Sequence, residues 1–204
     1  MTSNYNAEFW NARYGSEEYA YGTSPNDFLV EVAGRIPPGR VLCLAEGEGR
    51  NAVFLAEHGY QVLGVDASAA GLGKARRLAE SRGVTMETVM TDLAEFDIQP
   101  GYWSGIVSIF AHLPKDLRQR LHRQAVEGLV EGGALVLEAY TPQQIALGTG
   151  GPPVAELTMT ADTLRKELRG LDFEIAREIE REVHEGAFHS GPSAVVQILA
   201  FKHR

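Results

Sequence analysis

Residues 41–51 read Val-Leu-Cys-Leu-Ala-Glu-Gly-Glu-Gly-Arg-Asn, and this stretch decides the fold. Residues 41–45 form a short apolar run, which is typical of a β-strand buried on both faces. The glycines that follow indicate a tight turn, and residues 51–58 then place apolar side chains at helical spacing. A buried strand, a glycine-rich turn and a helix together predict the first unit of an open α/β sheet.

The same alternation of strand and helix continues along the chain. Short apolar runs predict further strands at residues 61–65, 84–89, 106–109 and 134–137. Helical spacing of apolar side chains predicts helices at residues 68–82, 114–129 and 160–169. These units predict a parallel sheet with helices on both faces.

The C-terminal part follows a different pattern. Residues 173–183 alternate apolar and acidic side chains, residues 194–201 are apolar, and residues 184–192 lie between them as a connector. Two such strands predict a terminal antiparallel pair. The acidic run 178–185 predicts a solvated strand face.

The length of 204 residues fits one domain, divided into an N-terminal helical segment, residues 1–38, and a core, residues 39–204. The lone Cys43 excludes an internal disulfide, and no apolar run approaches the roughly 20 residues of a membrane span. Residues 1–10 lack the pattern of a secretory signal. The net charge of -8 disfavours non-specific nucleic-acid binding. We therefore expect a soluble, cytoplasmic protein with no nucleic-acid or membrane partner, as a monomer or homodimer.

Three positions after predicted strands carry the strongest chemical signal. The glycine-rich turn follows the first strand, Asp66 ends the second, and Asp92 lies just beyond the third. Open α/β sheets bind ligands at these strand ends, and an acid at the spacing of Asp66 suits ribose hydroxyls. Taken singly, each has a simpler reading: a turn without a ligand, an N-cap for the helix at Ser68, and a turn cap.

The charges beside the glycines favour one nucleoside over another. Glu46 and Glu48 flank Gly47, and two carboxylates there would repel a pyrophosphate but favour an amino group and a sulfonium. The sequence therefore favours S-adenosylmethionine over a nicotinamide dinucleotide.

At these motifs the chain resembles class I S-adenosylmethionine-dependent methyltransferases, most of all the small-molecule branch that includes tellurite-resistance and thiopurine-methyltransferase-like proteins. The matching stretches are residues 41–51, 64–68, 91–93, 107–114 and 129–135. The N-terminal residues that resemble the lid of that branch are Trp10, Arg13, Tyr14, Tyr21, Gly22, Pro25 and Asn26. The chain departs from the family at Cys43, which replaces the usual acid, and at Ala45, which replaces the first glycine. Glu46 is the candidate to supply the missing carboxylate.

The resemblance implies a Rossmann-like three-layer αβα sandwich with a seven-stranded, mostly parallel sheet and an antiparallel last strand, with residues 1–38 as a lid over a methyltransferase core, residues 39–204. It also implies a set of cofactor-binding residues: Trp10, Tyr14, Tyr21, Glu46, Gly47, Glu48, Gly49, Arg50, Asn51, Asp66, Ala67, Asp92, Leu93 and Phe110.

Candidates for the catalytic step lie after the fourth and fifth strands. They are His112, which could act as a base, and Glu138 and Tyr140, which could shape the acceptor pocket. The alternatives are a hydrogen-bonded histidine before a helix and two residues that finish a strand. His184, Glu185 and His189 resemble a zinc signature, but their spacing is wrong for one helix face, so no metal is expected.

The expected function is methyl transfer to a small-molecule acceptor, such as a thiol or a chalcogen oxyanion. The alternatives are a nicotinamide-dependent oxidoreductase and a cofactor-binding protein without transfer activity.

Overall fold

The computed structural model describes residues 6–203, so residues 1–5 of the predicted N-terminal segment and Arg204 lie outside it. The strands are β1 (Arg40–Leu44), β2 (Gln61–Asp66), β3 (Glu87–Met90), β4 (Trp103–Ile109), β5 (Leu129–Tyr140), β6 (Leu171–Glu185) and β7 (His189–Lys202). They form one seven-stranded sheet in the order β3-β2-β1-β4-β5-β7-β6. β1 to β5 pair in parallel, and β7 runs antiparallel to both β5 and β6. The predicted fold is confirmed.

The helices cover both faces of this sheet. They are α1 (Ala7–Arg13), α2 (Asp27–Val32), α3 (Arg50–Glu57), α4 (Ala69–Ser81), α5 (Lys115–Gly128), α6 (Gln144–Leu147) and α7 (Ala161–Glu167). Alternation along β1 sends Leu42 and Leu44 into one buried apolar cluster, and Val41 and Cys43 into another. Both faces of the sheet are therefore packed, which is why its strands read as continuous apolar runs. Within residues 6–203, no helix is long and apolar enough to cross a membrane.

The structure corrects the predicted connector at residues 184–192. β6 continues to Glu185 and β7 begins at His189, so only residues 186–188 form the turn. Cross-strand pairing extends the two strands through polar residues that the apolar pattern alone does not mark. As a consequence, Glu185 lies directly opposite His189 at the end of the hairpin.

Gly49 illustrates how the turn after β1 depends on glycine. Its φ is +91°, and a Cβ there would lie 2.5 Å from the Cβ of Ala75 in α4. The missing side chain thus lets α3 and α4 approach each other, rather than making room for a ligand as its motif position suggests.

We expect Gly49→Ala to lower the free energy of unfolding by about 2–4 kcal/mol, since backbone strain and overpacking each cost on the order of 1–3 kcal/mol. Gly59→Ala is the matched control, because Gly59 has a φ of +85° but nothing within 4 Å of the added Cβ. Urea unfolding of both variants separates the steric from the backbone contribution. Equal losses in the two would show that the contact with Ala75 is unimportant.

Candidate active site

Asp66 ties the end of β2 to the glycine-rich turn. Its Oδ2 accepts a hydrogen bond from Gly47 N at 2.8 Å, and its Oδ1 accepts one from Ser68 N at 2.8 Å. The residue is only 7% exposed, and burial raises its pKa despite these N–H donors. Ser68, rather than Asp66, caps α4. A carboxylate has about four acceptor positions, so Asp66 can also accept from a ligand hydroxyl.

The two glutamates beside Gly47 have different partners. Glu48 pairs with the buried Lys74 at 2.7 Å, so its charge is neutralised inside the protein. Glu46 accepts from Ala52 N at 2.7 Å, and burial raises its pKa to about 7. The prediction that both glutamates favour a cation is therefore corrected for Glu48. The carboxyl groups that can still attract a cation are those of Glu46 and Asp66.

The N-terminal segment covers this turn with aromatic rings. Tyr14 is 7% exposed, and a Cβ on Gly47 would lie 2.7 Å from its hydroxyl oxygen. Burial and then the Asp66 charge raise the pKa of Tyr14 well above its usual value. Trp10 stacks on Tyr14 with ring centroids 5.6 Å apart, and Tyr21 N donates to Glu48 at 3.3 Å.

Asp92 and Leu93 lie beside the end of β2, where Thr91 N donates to Asp66 O at 3.1 Å. The carboxylate of Asp92 is exposed and accepts from Ala94 N at 2.8 Å, as a turn cap does. Leu93 is buried in the apolar core. Asp92 therefore stands next to the site with its remaining lone pairs towards solvent.

Arg50 and Asn51 tie other segments to the site. Arg50 Nη2 lies 2.5 Å from Glu185 Oε2 on β6, and Asn51 Oδ1 accepts from Asn26 N at 2.9 Å. These two members of the predicted cofactor set thus anchor the hairpin and the N-terminal segment. In the structure, the side chains of Arg50 and Asn51 therefore bind other segments of the chain.

The arrangement around Asp66 fits a cationic nucleoside. Two buried carboxyl groups, Asp66 and Glu46, lie at the glycine turn, and Asp66 has lone pairs available for hydroxyl groups. Ala45, with a φ of 51°, and Gly47, with a φ of 60°, hold the backbone in the left-handed region. Strained backbone of this kind clusters at ligand sites.

The second part of the site is a cluster of aromatic rings formed by Tyr21, Phe110, Tyr140, Phe188 and His189. Phe110 has a φ of 54° and stacks on Tyr140 with ring centroids 4.6 Å apart. His189 lies 4.9 Å from Phe110 and 4.5 Å from Tyr21, again between ring centroids. The N-terminal segment, the ends of β4 and β5 and the β6–β7 turn thus meet at one edge of the sheet, and we call this group of rings the aromatic cluster.

The geometry does not support His112 as a base. Its Nδ1 lies 2.8 Å from the Leu157 carbonyl oxygen, to which it must donate, and its Nε2 accepts from Tyr140 N at 3.4 Å. Burial lowers its pKa to about 4. Because both ring nitrogens are used by the backbone, His112 matches the alternative of a hydrogen-bonded histidine before a helix.

Glu138 and Tyr140 lie at the end of β5, where Tyr140 belongs to the aromatic cluster. Glu138 is 0% exposed and accepts from Arg181 at 2.6 Å, Gln197 at 2.5 Å and Asn26 at 3.0 Å. The side chain of Tyr140 is also buried, and burial raises its pKa. Three donors of the protein therefore occupy Glu138, and Tyr140 keeps its phenolic proton.

Sequence reasoning missed the contribution of β6 and β7. Glu185, at the end of the acidic run predicted to be solvated, is buried between Arg50, Asn26 and His189. Its only sequence signal is the histidine four residues on. Within residues 6–203, no group of three or more His, Cys, Asp or Glu side chains could hold a metal ion.

The raised pKa of Glu46 predicts a pH effect on stability. Its pKa rises from 4.5 to about 7 on folding, so folding favours the protonated form. The stabilisation that Glu46 contributes is fully present below pH 4.5 and is lost as pH rises through 7. The free energy of unfolding falls by about 3 kcal/mol as a result. We expect the unfolding free energy of the wild type, relative to Glu46→Gln, to fall by that amount across this range. Urea unfolding at several pH values measures both proteins. Their difference isolates Glu46, because His112, whose lowered pKa changes stability with pH in the opposite direction, is present in both proteins. A constant difference would contradict the prediction.

Comparison with known proteins finds similarity to methyltransferases over part of the chain. Residues 41–133 match the model of a methyltransferase domain. The 2-heptyl-1-hydroxyquinolin-4(1H)-one methyltransferase of Mycobacteroides abscessus is 28% identical over 122 residues, which are 58% of this chain and 54% of that protein. The matched part thus spans about half the length of that curated relative.

Solved structures share the fold over nearly the whole chain. One comes from work on the conversion of a disulfide bond into a thioacetal group during echinomycin biosynthesis, with a TM-score of 0.77, 21% identity, and coverage of 97% of this chain and 92% of that one. Another is TehB from Haemophilus influenzae, with a TM-score of 0.71, 21% identity, and coverage of 96% and 66% respectively. These comparisons show a methyltransferase-like stretch over residues 41–133 and a fold that the whole chain shares with the two solved structures.

Proposed function

We propose that the protein transfers a methyl group from S-adenosylmethionine to a small molecule with an apolar body and a protonated nucleophile, of which a thiol is the leading case. The observation that carries this is the position of the aromatic cluster, because its Tyr21 packs against Tyr14 at the glycine turn with ring centroids 6.2 Å apart. When bound, S-adenosylmethionine supplies an electrophilic methyl group, so the protein acts mainly by aligning the acceptor.

In this proposal, Asp66 accepts from the ribose hydroxyls, and Glu46 with Asp66 favours the positive charge of the ligand. Asp92 borders the adenine side, and Phe110 separates the cofactor from an acceptor bound against the aromatic cluster. The N-terminal segment acts as the lid, since Tyr14 lies over the glycine turn and Trp10 stacks on Tyr14.

The aromatic cluster and its surroundings support an apolar acceptor. Four large apolar side chains remain exposed on the cluster and on the segments near it: Ile145, Leu147, Val154 and Phe188. Exposed apolar groups that lie close together are typical of an interaction site. The curated relative is named for 2-heptyl-1-hydroxyquinolin-4(1H)-one, a ring compound with a heptyl chain and a hydroxyl group.

One observation favours the second candidate acceptor, a chalcogen oxyanion. The Arg13 guanidinium stacks on Phe188 at 3.9 Å and donates to the Tyr21 hydroxyl at 3.4 Å. Among residues 6–203, no carboxylate pairs with Arg13, so its charge is available to an anion beside the aromatic cluster.

The acceptor class is tested by a methyl-transfer screen with S-adenosylmethionine. The panel contains alkyl and aromatic thiols, N-hydroxy heterocycles, and selenite or tellurite. Preferential turnover of the apolar thiols or hydroxyl compounds supports the proposal. Turnover of the oxyanions alone, abolished in Arg13→Met, would instead establish the second candidate. Binding of S-adenosylmethionine with no turnover of any acceptor would favour a cofactor-binding protein without transfer activity.

A further inference from the structure

The end of the β6–β7 hairpin brings a glutamate and a histidine together. Glu185 and His189 face each other in the strand register. Glu185 Oε2 lies 3.8 Å from His189 Nδ1, slightly longer than a hydrogen bond. Nδ1 is buried and makes no hydrogen bond within residues 6–203. Buried polar atoms usually have a hydrogen-bond partner, so packing alone does not explain a buried ring nitrogen that lies just beyond hydrogen-bond distance of a carboxylate.

Glu185 is held so that only a small movement separates it from the imidazole. Arg50 contacts its Oε2 at 2.5 Å, and Asn26 donates to its Oε1 at 2.8 Å. Burial by itself would raise the pKa of Glu185, but His189, Arg50 and Asn26 lower it to about 2. The carboxylate is therefore ionised and fixed, as is needed to orient a histidine.

His189 is placed where an acceptor would lie. Its ring sits between Tyr21 of the N-terminal segment and Phe110 at the end of β4, with centroid distances of 4.5 Å and 4.9 Å. On its other side, a Cβ on Gly150 would be 3.4 Å from its Cδ2. The side chain is 11% exposed, and no residue within 6–203 hydrogen-bonds to its Nε2.

We propose that His189 is the general base of the transfer and that Glu185 orients it, so that the two form a histidine–carboxylate dyad. This inference rests on the proposed function. Nδ1 carries a proton towards Glu185, and Nε2 takes the proton of the acceptor X–H. As that proton moves, the acceptor atom bonds to the methyl carbon and the bond from the methyl group to the sulfonium breaks. His189 then returns the proton to solvent, leaving the methylated acceptor and a neutral thioether.

The surroundings of His189 keep it neutral before the reaction. Burial lowers its pKa, and although Glu185 opposes that shift, Arg50 and Arg13 add to it. The titratable and charged groups that face it from the neighbouring elements are Arg13, Tyr21, Arg50, His112, Tyr140 and Glu185. An imidazole that is neutral at physiological pH can accept a proton without first losing one.

The test compares two thiols that differ in ionisation. Phenylmethanethiol is protonated at neutral pH and needs a base, whereas 4-nitrothiophenol is already ionised. We expect His189→Gln to lower kcat/KM for phenylmethanethiol by about 100-fold or more, and for 4-nitrothiophenol by less than about 10-fold. His184→Gln is the matched control, since His184 is an exposed histidine on the same hairpin and should leave both rates unchanged. Equal losses for the two thiols, or no loss for phenylmethanethiol, would overturn the proposal.

A second readout does not depend on turnover. In protein labelled with ¹⁵N-histidine, the His189 signals, identified by their absence in His189→Gln, should show the Nδ1–H tautomer and a titration midpoint below 6.5. An Nε2–H tautomer, or an imidazolium at pH 7, would overturn the dyad. If the wild type methylates no acceptor, the proposed function fails, and the tautomer still decides whether the dyad exists.

Discussion

Arg181→Met is expected to lower the free energy of unfolding by about 3–5 kcal/mol, because it leaves a buried carboxylate without its cation. Arg181 Nη2 lies 2.6 Å from Glu138 Oε1, and Glu138 is 0% exposed. Gln197 and Asn26 also donate to Glu138, but neither carries a charge. Urea unfolding followed by circular dichroism measures the loss.

Two further variants make this prediction specific. Arg35→Met removes an ion pair with Glu174 whose side chains are 52% and 42% exposed, and should cost less than about 1 kcal/mol. The double variant Arg181→Met/Glu138→Leu removes both charges and should recover a large part of the loss. A double variant as unstable as Arg181→Met would show that the loss comes from packing rather than from the unpaired charge.

Asp66→Asn is expected to weaken the binding of S-adenosylhomocysteine by about 100-fold or more. Hydrogen bonds to a charged acceptor contribute about 1.5–3 kcal/mol each, and the proposed site has Asp66 accept from two ribose hydroxyls. The substitution also removes the charge that, with Glu46, favours a cation, so the loss for S-adenosylmethionine should be at least as large. Isothermal titration calorimetry measures both affinities.

Asp92→Asn serves as the comparison for Asp66→Asn. Asp92 is exposed and its carboxylate accepts only a turn N–H within residues 6–203, so about 10-fold or less is expected. Because Asp66 also holds Gly47 and Ser68, thermal unfolding without ligand must show that Asp66→Asn remains folded. A folded Asp66→Asn protein with unchanged affinity would mean that the ribose assignment is wrong.

The sheet and the cofactor side of the site could be predicted because their signals are local. Residues 41–51 carry strand, turn and helix start within one short stretch, and Asp66 ends the next strand. Hydrophobic periodicity reports which segments are buried, and the carboxyl ends of parallel strands must share one edge. In the structure, the glycine-rich turn and Asp66 lie together at that edge of the sheet.

The acceptor side could not be predicted because its contacts join distant parts of the chain. Glu138 meets Asn26 across 112 residues and Arg181 across 43, and Arg50 meets Glu185 across 135. A one-residue change in the β6–β7 register would turn Glu185 and His189 to the other face. No local pattern encodes that register. The sequence therefore predicted that Glu185 is a solvated acid and that His112 is the candidate base.

Calorimetric titration of the unmodified protein shows whether this chain binds S-adenosylmethionine at the turn after β1. We predict one molecule of S-adenosylmethionine bound per chain, competition by S-adenosylhomocysteine, and no measurable binding of NADH. Binding of NADH with no heat from either S-adenosyl compound would rule out the proposed cofactor site and favour the nicotinamide-dependent alternative.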